Sequence, residues 1–280
     1  MEIMTFLRLK NRVLGMISPV SVAKQNAKMF LTPRNHLMKD WEHEAEKKGE
    51  RLCFGDSLSA IRWGKSDKRI LVMHGWESRA TQMFGISEVL ARRGFEVIAI
   101  DAPKHGHSKG DKSNPVQFAN AVAAADKAFG PFYGAVGHSM GATALAIARD
   151  KGVNLGRYVL ISSPACIYDT LKAFADFMGL SEECTELFIQ KVEEEVGRPA
   201  KELDVGALLE NHDGSSMLIH AKDDKEIPHE AMQCISEKLS DVKTLSPSDL
   251  GHRKIVRDEN VAISIHRFFN QSTSLKEVSA

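Results

Sequence analysis

The chain has 280 residues, of which 43% are hydrophobic and 26% charged, a composition typical of a soluble protein with one core and room for an insertion. Its 37 basic residues balance 37 acidic ones, so no global field attracts nucleic acid, anionic lipid or a polyanionic substrate. The four cysteines show neither CxxC spacing nor a metal-ligand rhythm, which indicates thiols in a reducing compartment.

Residues 1–50 are predicted to form a helical extension. Its apolar residues approximate one helix face: Ile3, Phe6, Leu7, Val13, Leu14 and Ile17. This face could lie on the protein's own body, on a partner or on a membrane surface, and we favour the protein's own body. The region also resembles a secretory signal, but Glu2 and Pro19 break that pattern, so we favour a cytoplasmic location over export. No stretch approaches the roughly 20 apolar residues of a membrane span.

From residue 51 onward, strand-like and helix-like patterns alternate. Strands are predicted as a pair within 51–64 and at 69–73, 95–100, 132–137, 157–161, 217–220 and 242–245. Helices are predicted at 81–93, 114–129, 139–151, 229–239 and 260–269. This rhythm predicts a mostly parallel, doubly wound α/β sheet spanning 51–270, with helices on both faces and a frayed tail at 271–280.

The rhythm is interrupted between about residues 164 and 211. Apolar residues there recur at helical spacing, which predicts a small helical insertion. The insertion could be a lid over a pocket or an extra layer packed on the core. Because ligands bind beyond the carboxyl ends of parallel strands, and the insertion follows such a strand, we favour the lid.

The sequence Gly137-His138-Ser139-Met140-Gly141 is a GxSxG motif. It falls between a predicted strand and a predicted helix rich in alanine, which is the strand–turn–helix context that the motif requires. A serine on such a strained turn projects its hydroxyl toward substrate, and the flanking glycines remove side chains that would clash. We therefore predict Ser139 as a nucleophile.

A serine hydroxyl needs a base to remove its proton, and the base needs a carboxylate to orient it. In enzymes with this serine turn, the acid and then the base follow the nucleophile along the chain. Five histidines satisfy that order: His212, His220, His229, His252 and His266. We favour His252, because it follows Gly251 in a turn-rich loop after the last strand, where an imidazole can reach the serine.

The acid is expected at the end of the preceding strand. Asp223 and Asp224 both occur there, and we favour Asp224. Asp169 is a third candidate, but it would require the acid to follow an earlier strand. The other aspartate of the adjacent pair is expected to form a turn or a helix cap.

The negative charge that develops in acyl transfer requires backbone donors. The Met140 amide, directly after the nucleophile, supplies one by its position. The loop after the strand 69–73 should supply the second, and we favour the Trp76 amide, since Gly75 lets the backbone come close.

Several motifs together resemble the α/β-hydrolase superfamily over residues 50–270. They are His74-Gly75, residues 101–108, the serine motif, residues 220–228, and Gly251-His252-Arg253. The resemblance supports Asp224, since the acid in that pattern stands three residues before an Ile/Val-Pro pair, and it implies a mainly structural role for residues 101–108 in the pocket wall. Residues 101–110 and 197–205 are similar to a bacterial subgroup whose substrates are unassigned.

A serine nucleophile argues against the aspartate-based chemistry of epoxide hydrolases and dehalogenases on this scaffold. We expect hydrolysis of a carboxylic ester on a small-molecule acyl substrate, with thioester, amide or C–C bond cleavage as alternatives. The triad needs no metal or organic cofactor. A ligand receptor without turnover is the alternative from another class, because fold alone does not determine function. The oligomeric state is left open by the sequence.

Overall fold

The computed structural model describes residues 2–212 and 214–271, with side chains from residue 4 onward. The predicted tail lies outside the described residues from residue 272 onward. An eight-stranded sheet forms the centre of the molecule. Its strands are β1 (Glu50–Phe54), β2 (Leu58–Trp63), β3 (Arg69–Met73), β4 (Glu96–Asp101), β5 (Gly134–His138), β6 (Arg157–Ile161), β7 (Ser216–Ile219) and β8 (Val242–Leu245).

The strand order is β1-β2-β4-β3-β5-β6-β7-β8. The pairs β1–β2 and β2–β4 are antiparallel, and every pair from β4 to β8 is parallel. The predicted mostly parallel sheet is therefore confirmed. The carboxyl ends of β3, β5 and β7 consequently meet at one edge, where the residues that follow each strand can form a site.

Both faces of the sheet are buried, and β3 shows why its sequence is apolar throughout. Ile70 and Val72 belong to the core on one face, whereas Leu71 and Met73 belong to the core on the other. All four side chains are fully buried. Because successive side chains of a strand point to opposite faces, an unbroken apolar run is what a doubly covered strand requires.

The helices surround the sheet. In the described part of the chain they are α1 (Glu2–Ile17), α2 (Pro19–Phe30), α3 (Asp40–Lys47), α4 (Phe84–Arg92), α5 (Pro115–Phe129), α6 (Met140–Asp150), α7 (Ile167–Met178), α8 (Glu182–Val196), α9 (Val205–Leu209), α10 (Glu230–Ser236), α11 (Gly251–Lys254) and α12 (Glu259–Asn270). Apolar residues of α4 and α12 join the core on one face, and those of α5 and α6 join the core on the other.

Three helical segments differ from the sequence prediction. The helix predicted from residue 81 starts as a 3₁₀ turn, Ala80–Met83, before α4. Helix α3 lies in the predicted helical extension 1–50 but was not predicted as a separate helix; it begins with a capping interaction, in which the Lys39 amide donates to the Glu42 carboxylate. Helix α11 replaces part of the loop predicted around His252, and its four residues are too few to show a helical period in the sequence.

The predicted packing of the N-terminal apolar face on the protein's own body is wrong for most of that face. Phe6, Val13 and Ile17 have 66%, 45% and 77% of their surface exposed. Helix α1 instead approaches the body through Asn11, whose Nδ2 donates to the Met178 carbonyl at 2.9 Å, and through Gly15. A Cβ on Gly15 would lie 3.0 Å from the Cys184 sulfur, so small and polar residues make the contact.

The predicted helical insertion is present as α7 and α8, and both pack beside the N-terminal helices. Phe30 at the end of α2 lies against Phe174 and Phe188 of the insertion, with ring centroids 5.1 and 5.9 Å apart. The two insertion rings stack on each other at 5.4 Å. The extension and the insertion therefore share one aromatic core. No described helix is long and apolar enough to cross a bilayer.

Candidate active site

Ser139 occupies a strained turn between β5 and α6, the predicted strand–turn–helix context. Its φ is +52°, a region that residues other than glycine rarely adopt. A Cβ on Gly137 would lie 2.7 Å from the Ala142 nitrogen, and one on Gly141 would lie 2.4 Å from the Met73 carbonyl oxygen. Both glycines are therefore required for the helix and β3 to approach the turn this closely.

His252 and Asp224 are brought together from two different loops. Nδ1 of His252 donates to Oδ2 of Asp224 at 2.8 Å, and the carboxylate side chain is fully buried. The other carboxylate oxygen accepts from the amides of Glu226 and Ile227 at 2.9 and 3.0 Å. Since Nδ1 carries the proton, Nε2 of His252 is the nitrogen that can accept one.

The surroundings of Asp224 keep its carboxylate charged. Burial alone would raise its pKa, but hydrogen bonds from His220 and His252, together with the Ile227 amide, outweigh burial and lower the pKa below the ordinary value of an aspartate. Nε2 of His220 lies 3.3 Å from Oδ2 of Asp224 and 3.0 Å from the Ile227 carbonyl oxygen. Asp224 is therefore an acceptor at neutral pH, as an orienting carboxylate must be.

The neighbouring aspartate has a different contact. Asp223 is exposed, and its Oδ1 accepts from the Gly251 amide at 3.3 Å, directly before His252. This is the turn role expected for one member of the pair. Asp169 lies in the first turn of α7, away from the His252 loop, and does not line the cavity described below.

The loop after β3 lies directly against the serine. A Cβ on Gly75 would be 3.0 Å from the Ser139 Cβ, so the backbone passes Ser139 at contact distance. Among the described residues, neither the Trp76 amide nor the Met140 amide donates to another group. The Trp76 ring stacks between Phe30 and Phe118, with centroids 6.3 and 6.2 Å away. Packing of this ring fixes the position of the loop amide.

Two buried histidines that the site prediction did not include hold this loop. Nδ1 of His74 donates to the Gly75 carbonyl at 2.6 Å, and its Nε2 accepts from the Ala102 amide at 3.1 Å. Nε2 of His105 accepts from the Glu77 amide at 3.1 Å. Burial lowers the pKa of His74 to about 4 and that of His105 to about 3, so both stay neutral.

A third buried histidine, His138, contacts His252. Its Nε2 donates to the backbone carbonyl of His252 at 2.8 Å, and the two rings lie 4.8 Å apart. Burial, and secondarily the nearby His252, lowers the pKa of His138 to about 3. His138, the residue before Ser139, thus fixes the backbone of His252, a contact that only the tertiary structure could show.

Residues 101–108, expected in the pocket wall, lie instead beneath the loop after β3. Oδ1 of the buried Asp101 accepts from the Ala80 amide at 2.8 Å, and its Oδ2 accepts from the His107 amide at 3.1 Å. Oδ2 is also 3.0 Å from the Arg51 guanidinium. A Cβ on Gly106 would overlap this carboxylate, so the tight turn needs glycine. The segment supports the loop without lining the cavity.

The other candidate histidines have different contacts. His229 faces the Ser246 hydroxyl at 2.9 Å, His266 faces Asn270 at 2.7 Å, and His212 packs edge-on against Tyr158. None of them lines the cavity that contains Ser139. Within the described residues, no group of three or more His, Cys, Asp or Glu side chains is placed to hold a metal ion.

A cavity of about 340 Å³ contains both Ser139 and His252. The remaining lining residues are His36, Leu37, Lys39, Trp41, Glu42, Gly75, Trp76, Glu77, Ser78, Arg79, Gln82, His138, Glu226, Arg253, Val256 and Arg257. Ion pairs cross its wall, including Arg79 with Glu42 at 3.1 Å and Arg253 with Glu226 at 2.7 Å. Residues of the N-terminal extension form one side, whereas the described residues of 164–211 contribute none of the lining. The lid role of the insertion stays a prediction.

The mostly parallel eight-stranded sheet and the serine on a strained turn between a strand and a helix are features of the α/β-hydrolase fold. Residues 70–252, more than half of the chain, match the α/β hydrolase family. The chain belongs to this family, whose members are in general hydrolases, and the matched region includes Ser139, Asp224 and His252.

Solved structures with this fold include several esterases. An esterase of Pyrococcus furiosus is 20% identical, with 85% of this chain and 95% of that chain aligned and a TM-score of 0.62. Est1E of Butyrivibrio proteoclasticus, with bound ferulic acid, is 15% identical over 78% and 97% of the two chains, at a TM-score of 0.63. The thioesterase domain of the curacin biosynthetic pathway is 15% identical over 80% and 99%, at 0.59. No curated protein matches the sequence significantly.

Proposed function

We propose that the protein is a carboxylic ester hydrolase whose catalytic triad is Ser139, His252 and Asp224. The observation that carries the proposal is the 2.8 Å contact between Nδ1 of His252 and the buried Asp224, with Ser139 in the same cavity as the imidazole. The catalytic unit in this proposal spans residues 51–270. Because the four cysteines are unpaired thiols, we place the reaction in the cytoplasm.

The reaction starts when Nε2 of His252 takes the proton from Ser139 as Oγ attacks the acyl carbon. The oxyanion of the tetrahedral intermediate accepts hydrogen bonds from the amides of Trp76 and Met140. The intermediate then expels the alcohol, which takes the proton from His252, and an acyl-enzyme remains. His252 next activates a water that attacks this acyl group, and the acid leaves as Ser139 regains its proton.

The cavity supports a small acyl substrate. Its volume of about 340 Å³ lies at the lower end of ordinary ligand pockets, and ion pairs run through its wall. We therefore expect short acyl chains to be favoured over long ones. Thioester hydrolysis is the second candidate, because the same triad can attack a thioester and a thioesterase domain is among the structures with this fold.

A fluorophosphonate probe tests the nucleophile, since only an activated serine is phosphonylated at a useful rate. The wild-type protein should be labelled, and Ser139→Ala should not be. A rate series on p-nitrophenyl esters, matched thioesters and anilides of increasing acyl length then identifies the bond. Absence of both labelling and turnover would favour a ligand receptor, and labelling that survives Ser139→Ala would refute the assignment of the nucleophile.

A further inference from the structure

The outward side of α1 is apolar. Five residues there, Phe6, Leu9, Val13, Met16 and Ile17, expose between 45% and 80% of their surface, and we call them the apolar stripe. At 100° per residue they fall on one side of the helix. A surface helix ordinarily presents polar residues to solvent, so the exposed stripe indicates a surface to which something binds.

The opposite side of α1 is already engaged with the protein. Asn11 donates to the Met178 carbonyl, and Gly15 lies against the Cys184 sulfur. The two residues of α1 that make these contacts are therefore not part of the stripe. Phe177, next to the carbonyl that Asn11 binds, is 59% exposed. The stripe is consequently the outer, exposed side of a helix that is already docked through its opposite side.

The charges of residues 2–30, which include α1, are almost entirely positive. Residues 2–30 contain one acid, Glu2, and five bases: Arg8, Lys10, Arg12, Lys24 and Lys28. None of these bases forms an ion pair with another residue in the described part of the chain. Lys10 and Arg12 project to the two sides of the stripe at 100° per residue, where long cationic side chains can reach past an apolar face to anions.

We propose that α1 binds the surface of a bilayer containing anionic lipids, with the apolar stripe at the boundary of the acyl chains and Lys10 and Arg12 among the headgroups. An interfacial helix binds through buried apolar area together with attraction between its bases and acidic lipids, and α1 supplies both. A second copy of this chain fits poorly, because pairing two stripes would bring the flanking cations Lys10 and Arg12 of both copies together. The inference is independent of the proposed ester hydrolysis.

Sedimentation of the full-length protein with vesicles tests this proposal. Vesicles of phosphatidylcholine with about 30% phosphatidylglycerol should bind the protein at least about tenfold more tightly than pure phosphatidylcholine, and added salt should weaken binding. Absence of binding to the anionic vesicles at low salt, or equal binding to both kinds, would overturn it.

Two sets of variants separate the apolar and electrostatic contributions. Leu9→Gln with Met16→Gln should weaken vesicle binding by at least about tenfold, because two apolar side chains lose their acyl contacts. Arg12→Gln should weaken it about fivefold on anionic vesicles only. Lys65→Gln, at an exposed position between β2 and β3, removes the same charge elsewhere and should change nothing. Met29→Gln is the control for loss of an exposed apolar residue.

These substitutions lie on exposed surface, so their melting temperatures and their fluorophosphonate labelling should match the wild type. Labelling reports on the active site separately from binding, so failure of one proposal leaves the other standing. Wild-type binding by the Leu9/Met16 variant would overturn the membrane assignment. So would a concentration-dependent dimer, seen by analytical ultracentrifugation, that this variant abolishes, because the stripe would then be a protein interface.

Discussion

Nδ1 of His252 and Oδ2 of Asp224 lie 2.8 Å apart although 28 positions separate the two residues in the sequence. Asp224 follows β7, and His252 lies in α11, after β8. Neighbouring parallel strands end at the same edge of the sheet, which is why these loops meet. The Asp223 contact to the Gly251 amide and the His138 contact to the His252 carbonyl hold the second loop in place.

The two adjacent aspartates should differ sharply on substitution. Asp224→Asn should lower kcat by about 10⁴-fold, because an amide in place of the carboxylate no longer holds the tautomer with the proton on Nδ1. Asp223→Asn, the matched control, keeps an oxygen for the Gly251 amide and should lower kcat by less than about tenfold. Steady-state kinetics on a p-nitrophenyl ester, with circular dichroism to confirm folding, would measure both. The reverse order would assign the acid to Asp223.

Gly75→Ala should impair catalysis more than folding. The added methyl would lie 3.0 Å from the Ser139 Cβ, so the loop must shift by a few tenths of an ångström. A shift of that size moves the Trp76 amide relative to the oxyanion, and we expect kcat to fall by about 10- to 100-fold with little change in KM. Trp76→Phe is the control, because it keeps the amide and most of the ring packing. Normal kcat in Gly75→Ala would exclude this loop as an oxyanion donor.

Stability should fall as the pH is lowered from about 6.5. Folding lowers the pKa values of His74, His105 and His138 to about 4, 3 and 3, so below 6.5 the unfolded chain binds more protons than the native state. Each histidine then costs about 2 kcal/mol by pH 5. Asp101, whose pKa burial raises, contributes with the opposite sign at lower pH. Urea unfolding between pH 8 and pH 5 would measure the slope.

His105→Gln provides a comparison for the pH prediction. This variant should be less stable at pH 8, since the Glu77 amide loses the imidazole nitrogen that accepts its hydrogen bond. Its stability should depend less on pH, because one titrating group is absent. A wild-type stability that stays constant from pH 7 to pH 5 would contradict the neutral state of these three histidines.

The aromatic core shared by the N-terminal extension and the insertion should be important for stability. Phe188 is fully buried against Phe30 and Phe174, so Phe188→Ala should cost about 3–5 kcal/mol of unfolding free energy. Phe177→Ala, in the same insertion but 59% exposed, should change it by less than about 0.5 kcal/mol. Urea denaturation compares the two. Equal effects would mean that the insertion is not packed on α2 as described.

Apolar runs in the sequence were enough to place most strands of the sheet. The run at 69–73 coincides with β3, and those at 157–161 and 242–245 coincide with β6 and β8. The short helix α11 was not predicted, because four residues show no period. Helix α3 was not distinguished within the helical extension 1–50, because its start depends on one side-chain contact. The direction in which α1 docks was predicted incorrectly, since Asn11 and Gly15 are compatible with either side of a helix until a neighbour is known.

Local chemistry therefore accounts for Ser139 and its glycines, because a strained turn between a strand and a helix is specified by residues next to one another in the chain. It also orders the candidate acid and base. Contacts between distant segments account for the rest. The separate contacts of Asp223 and Asp224, the three neutral histidines that hold the loops, and the cavity wall contributed by residues 36–42 all depend on which strand ends and helices become neighbours. Those neighbours are set by burial of the whole core, which no single stretch of sequence encodes.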